Sequence, residues 1–142
     1  MKTEYISKSA SETESIAKDL STALGRGCTI ALYGELGAGK TVFARGILRG
    51  LGYTGVVSSP TFTIVNEYEL DDHRVAHFDM YRVDNEDTLE AAGFFEHITT
   101  GSTIIIEWSE RIEHLLKTYR SIDLTRVYIF GSGEDKRRIV VE

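Results

Sequence analysis

The chain has 142 residues, which suits one domain with a single core that buries about two-thirds of the unfolded surface. Its 22 acidic against 16 basic residues give a formal net charge of −6, which argues against a protein that grips bare nucleic acid with a broad basic face. The single cysteine excludes a disulfide framework or a multi-cysteine zinc site, and no run approaches the roughly 20 apolar residues of a membrane span, so a cytoplasmic protein is expected.

Residues 3–7, TEYIS, read as a short strand. SETESIAKDLSTALG follows with Ile16, Leu20 and Leu24 four apart on one helical face. Ser11 and Glu14 have capping-box spacing there, and Gly25 is the stop. Cys28 opens an apolar run and reads as a small buried hydrophobe. TIALYG, residues 29–34, is a short apolar strand, and helix character resumes from Lys40 to Leu51. That helix should bury Phe43, Ile47, Leu48 and Leu51 before Gly52 ends it.

TFTIVNEYEL, residues 61–70, alternates like a strand. DDH turns the chain, and RVAHFDMY returns as a second strand, predicting a hairpin with a three-residue loop. NEDTLEAAGF is a short helix with Asn85 as N-cap. STIIIEW is the most apolar strand, and its continuous isoleucines fit a central strand covered on both faces. SERIEHLLK is helical, and DLTRVYIF and RRIVVE flank GSGED as a second hairpin. The expected fold is α/β: one domain over residues 1–142, with a central mixed sheet, helices on both faces and β-hairpins. Residues 34–41 (GELGAGKT) match the GxxxxGK[ST] phosphate loop, which makes it a P-loop NTPase-like domain.

GELGAGKT, residues 34–41, satisfies GxxxxGK[ST]. Gly34, Gly37 and Gly39 let the backbone turn its N–H groups toward phosphate oxygens, and the helix that follows aims its positive end at the same anion. Lys40 should reach the β- and γ-phosphates, and the Thr41 hydroxyl should bind Mg²⁺. The spacing is not the GxGxxG of a dinucleotide fingerprint, and the Lys-Thr pair belongs to a phosphate loop. Such a loop needs a carboxylate at the end of a neighbouring apolar strand, and Asp79 after VAHF and Glu107 after TIII both qualify.

LYGELGAGKT, SSPTFTIVNEY, HFDMYR and IIIEWSER, in this order and spacing, resemble the TsaE (YjeE-like) family of small bacterial P-loop ATPases. These take part in forming threonylcarbamoyladenosine at position 37 of tRNAs that read ANN codons. The resemblance spans almost the whole chain. It implies that ATP or ADP is bound by Gly34, Glu35, Leu36, Gly37, Ala38, Gly39, Lys40, Thr41 and Val42. It also implies that Ser59, Pro60, Thr61 and Phe62 form a switch-like loop near the γ-phosphate, that Asp79 is Walker-B-like and that Glu107 belongs to the Mg²⁺ site. Lys40, Thr61, Asp79 and Glu107 are the catalytic candidates, with Thr41, Asp79 and Glu107 as metal ligands. Trp108 either packs near the nucleotide or belongs to the core. Two departures are small: Val42 stands where the family often has a second threonine, and HFDMYR replaces HFDLYR. The adenine-binding segments are expected at Ser9–Thr13 and in GSGEDKRR.

No arginine finger is evident. Arg45 and Arg49 read as solvated helix-face charges, and Arg82, just after the Asp79 strand, is the better candidate. A phosphate loop without a complete charge clamp hydrolyses slowly. The resemblance therefore implies stimulation by TsaB and TsaD, with tRNA contacted indirectly through that complex, and no membrane. Two other classes fit the loop: a nucleotide-dependent binding switch without hydrolysis, and a small-molecule kinase. His73, His77, His97 and His114 lack metal-ligand spacing and read as core or surface residues; His77, in the strand that ends at Asp79, has a site-facing position as its alternative.

Overall fold

Burial along β-strands 29–33, 75–79 and 103–107 is continuous, as in a sheet covered on both faces. The structure is a computed structural model that describes residues 2–34, 39–61, 63–118, 122–131 and 135–142. In chain order these form β1 (Thr3–Ser7), α1 (Ala10–Leu24), β2 (Thr29–Tyr33), α2 (Lys40–Gly50), β3 (Val65–Glu69) and β4 (Arg74–Asp79). Then come α3 (Glu86–Ala91), α4 (Phe94–Thr100), β5 (Thr103–Glu107), a 3₁₀ turn (Ser109–Ile112), α5 (Glu113–Thr118), β6 (Leu124–Gly131) and β7 (Arg137–Val141). Among the described residues the strands make one seven-stranded sheet in the order β1-β7-β6-β2-β5-β4-β3.

The four inner strands β6, β2, β5 and β4 are parallel. β3 joins β4 antiparallel at one edge, and β7 and β1 add antiparallel at the other. Ile30, Leu32, Val75, Ile105 and Val127 project to the side covered by α1 and α2. Ala31, Tyr33, Ala76, Phe78, Ile104 and Ile106 project to the side covered by α3, α4, the 3₁₀ turn and α5. Fully buried aromatics anchor each layer, Phe43 on the first and Phe78 on the second. Each such burial contributes about 1.5–3 kcal/mol relative to exposure. The α/β fold with a mixed sheet between helices is thus the one expected, and β5, buried at every residue, is an interior strand. Among the described residues no helix is long and apolar enough to cross a membrane.

α1 and α2 lie against each other through glycines. A Cβ on Gly46 would stand 2.4 Å from Glu14 O and 2.6 Å from the Ala17 Cβ, and one on Gly50 would meet Lys18 O at 2.5 Å. Arg45 closes the same seam with a 3.0 Å bond to Glu14. On the other layer, Tyr33 donates its hydroxyl proton to Glu113, which also accepts from Arg126 at 2.7 Å, tying α5 to β2 and β6.

Several boundaries differ from expectation, each for a local reason. The cap of α1 is Ser9 rather than Ser11: its Oγ accepts the Glu12 N–H at 3.0 Å, while Glu12 Oε2 accepts from the Lys8 N–H at 3.3 Å. Glu14 is instead spent on Arg45. α2 ends at Gly50, with Leu51 as its partly buried cap. β3 begins at Val65 rather than residue 61, because Ile64 has a left-handed φ of 68° and the Thr63 and Ile64 N–H groups both turn back to Pro60 O. The β3–β4 loop has four residues, 70–73, closed by a Leu70 N–H bond to His73 O. α4 is an additional helix. Gly93 and Gly101, at φ 82° and 78°, bracket it, and Phe94 and His97 form its buried stripe.

Candidate active site

β2 runs into the phosphate loop at Gly34, and α2 leaves it at Lys40. Glu35, Leu36, Gly37 and Ala38, between them, lie outside the described residues. Gly39 caps α2 with φ 102°, a conformation that a side chain would strain. Lys40 Nζ donates to Gly34 O at 2.5 Å and stands 3.7 Å from the centroid of the Trp108 ring. Only 5% of Lys40 is exposed. Burial pushes its ammonium below the ordinary lysine pKa, opposed by the negative charges of Glu107, Glu110 and Asp79.

Sheet parity brings the carboxylates to this lysine. Val75, His77 and Asp79 alternate on the α2 side of β4, as Ile105 and Glu107 do on β5. Asp79 and Glu107 are direct neighbours in the β4–β5 register, at the carboxyl ends of parallel strands. Both are almost fully buried. Asp79 Oδ1 accepts the Tyr81 N–H at 2.9 Å, and the Asp79 N–H donates to Ile64 O at 2.8 Å. Glu107 Oε2 is 2.6 Å from His77 Nε2. Immediately after Glu107, Trp108 takes a left-handed φ of 58° and packs on Tyr81 at 4.9 Å.

Two buried carboxylates beside one buried ammonium make an electronegative pocket that favours a cation. Among the described residues no group of three or more His, Cys, Asp or Glu side chains is arranged to hold a metal. Hard carboxylate oxygens in a pair fit Mg²⁺, which is usually held by one or two carboxylates together with substrate phosphates. Thr41, half-buried on the first turn of α2, stands next in sequence to Lys40; Val42 is also half-buried.

The other predicted residues are placed less centrally. Thr61 is exposed and its Oγ1 bonds Ser59 Oγ at 2.6 Å; Phe62 lies outside the described residues. The segment reaches the carboxylates only at one remove, through Pro60 O, Ile64 and the Asp79 N–H. Arg45 and Arg49 are not idle surface charges: Arg45 holds Glu14, and Arg49 donates to the carbonyls of Tyr53 and Gly55 at 2.9 and 2.8 Å. Arg82 is exposed in the turn after β4. Ser9 is spent on capping, and Thr13 Oγ1 bonds Ser7 Oγ at 2.6 Å. Of GSGEDKRR, residues 132–134 lie outside the described set, but Arg137 Nε is 3.7 Å from where a Cβ on Gly39 would sit, so this end of β7 flanks the loop.

Sequence reasoning left His77 undecided and passed over Tyr81, Tyr128 and Glu110. The signal for His77 was present: two residues before Asp79 in a strand means the same face. Tyr128 becomes visible only in the fold. A cavity of about 480 Å³ opens beside Gly34, lined by Tyr33, Trp108, Glu110, Tyr128 and Phe130. A larger cavity, about 770 Å³, lies at the opposite edge between the β3–β4 turn and α4, among Glu67, Glu69, Asp72 and Glu96. The smaller cavity, unlike the larger one, opens at the carboxyl ends of the parallel strands, where ligands of open α/β sheets bind.

The profile of the family described as threonylcarbamoyl adenosine biosynthesis protein TsaE matches residues 7–139. The chain belongs to the TsaE family. A Bacillus subtilis (strain 168) tRNA threonylcarbamoyladenosine biosynthesis protein TsaE is 38% identical over 128 residues, covering 90% of this chain and 77% of that protein. The Haemophilus influenzae TsaE is 44% identical over 87 residues, covering 61% of this chain and 55% of its own length. A crystal structure of Bacillus subtilis YdiB superposes with a TM-score of 0.74 at 30% identity, covering 99% of this chain and 84% of the other. The TsaE match and the superposition together assign the fold as well as the family.

Proposed function

We propose that this chain is an ATPase of tRNA threonylcarbamoyladenosine biosynthesis, binding and slowly hydrolysing ATP with Mg²⁺ in support of a threonylcarbamoyl transferase. The observation that carries the reading is the convergence of Lys40, Asp79 and Glu107 at one strand edge, where α2 begins. Membership of the TsaE family and the names of the relatives support the pathway.

In this reading the loop of residues 34–42 and the α2 amino terminus take the phosphates. Lys40 exchanges its bond with Gly34 O for phosphate oxygens, leaving the Trp108 face. Asp79, Glu107 and Thr41 would hold the metal, which would supply charge neutralisation on the phosphates. Glu107 and Asp79 are also placed to order the attacking water, and Thr61 senses the γ-phosphate from the 58–62 segment. The cavity beside Gly34 accommodates the adenine ring against Tyr128 and Phe130. Arg45 and Arg49 are engaged elsewhere, so the charge clamp is completed by partners of the TsaB and TsaD type, which also make the tRNA contact. The cytoplasm is the compartment where such a complex meets tRNA.

Phosphate release measured with and without those partners tests the reading. Slow release alone and a large stimulation by the partners are expected. Binding without release even in the complex makes the chain a nucleotide switch, and ATP consumption only with a small acceptor makes it a kinase.

A further inference from the structure

His77 is fully buried on β4. Its Nε2 is 2.6 Å from Glu107 Oε2, and its Nδ1 has no hydrogen-bond partner among the described residues. Burying a polar nitrogen without a partner costs on the order of 1–3 kcal/mol, and Val75 and Ile105 on the same layer show that the neighbourhood accepts apolar side chains. A phenylalanine or leucine would fill this position without that cost. The imidazole therefore carries a benefit that packing does not supply, and among the described residues its side chain bonds Glu107.

Glu107 needs such a contact. It is the last residue of β5, and the chain leaves the sheet at Trp108 with a left-handed turn. Its carboxylate shares the pocket with the Lys40 ammonium from α2 and with Asp79, its register neighbour on β4, so opposite and like charges act on it from two elements. An ionised carboxylate only accepts hydrogen bonds, so His77 donates from Nε2. That bond occupies one carboxylate oxygen and leaves the second for a cation or a water. Because the Nδ1 side is closed by the core, the ring cannot turn to another polar partner.

We propose that His77 is a positioning residue that fixes the Glu107 carboxylate for its role at the metal and the attacking water. This inference rests on the function assigned to Glu107 above. Groups that orient a metal-site residue from behind typically change affinity or activity by about 10–100-fold when removed.

The test compares His77→Phe, which keeps the shape, with His77→Gln, whose amide N–H reaches the former Nε2 position. Each is assayed for phosphate release in the complex with the activating partners. His77→Phe should lower turnover roughly 10–100-fold while the KM for ATP changes less than about 2-fold, and His77→Gln should recover most of the loss. The melting temperature of His77→Phe should stay close to that of the unaltered chain, because removal of the unpartnered nitrogen offsets loss of the donor to Glu107. Wild-type turnover in His77→Phe overturns the proposal, as does equal loss in both variants with a fallen melting temperature. A readout without nucleotide or metal stands beside it: the nitrogen-15 NMR spectrum should show a slowly exchanging His77 Nε2–H that is lost in Glu107→Ala. Its absence from the unaltered chain also overturns the proposal. If Glu107→Ala hydrolyses at the normal rate while that signal is present, the function assigned to Glu107 fails instead, and the bond itself stands.

Discussion

The two edges of the parallel strands carry similar side chains under opposite conditions. At the carboxyl edge Lys40, Asp79 and Glu107 are 4–5% exposed and converge within one pocket. At the amino edge Arg74, Glu69 and Glu67 pair across an open turn, with Arg74 on Glu69 at 2.6 Å and about half exposed. Solvated pairs of that kind contribute little, whereas buried charges cost folding energy and persist where chemistry uses them. Charge at the amino edge is solvated, whereas charge at the carboxyl edge is buried where the proposed site lies.

The largest break in this contrast is Lys40→Ala. Nucleotide affinity measured by calorimetry should fall by at least about 100-fold, some 2.7 kcal/mol, while the fold is retained. Next comes the seam that holds the α2 side of the site. Gly46→Ala forces a Cβ into Glu14 O and should cost about 1–3 kcal/mol in denaturant unfolding, because backbone on both sides must shift. A smaller effect is expected at the opposite layer. Tyr33→Phe removes the hydroxyl bond to Glu113 and should cost about 1–2 kcal/mol at neutral pH.

The same tyrosine sets a pH signature. Burial, reinforced by Glu113, holds the Tyr33 hydroxyl well above its ordinary pKa near 10. Above pH 10 the folded chain therefore keeps a proton that the unfolded chain releases, so stability falls as pH rises beyond that point. Tyr33→Phe should flatten this alkaline decline in thermal melts. The smallest effect belongs to the amino edge: Arg74→Ala should change stability by less than about 0.5 kcal/mol and leave nucleotide affinity untouched.

Local pattern carried much of this architecture. The isoleucines of β5, the alternation in β4 and the glycine loop between β2 and α2 place Asp79, Glu107 and Lys40 on their elements before any tertiary contact is known. Their meeting follows from strand order, which no local pattern encodes. β5 had to fall between β2 and β4 for Glu107 to stand beside Asp79. The Ser9 cap was masked by an equally good Ser11–Glu14 spacing, and only the Arg45 contact across to α1 decides between them. α4 escaped because two glycines, which locally read as loop, cap a helix of seven residues. Ile64 was read as strand, since a β-branched residue rarely adopts φ near 68°. His77 could be placed on the right face by counting, but its bond to Glu107 depends on pairing between strands distant in sequence.

In the proposed function Glu107 serves catalysis rather than nucleotide binding. The most direct test of this role is Glu107→Ala, assayed for ATP affinity and for phosphate release in the presence of the partner proteins. Affinity close to that of the unaltered chain, with partner-stimulated release reduced at least about 100-fold, is the predicted result. Stimulated release at the normal rate would contradict the account.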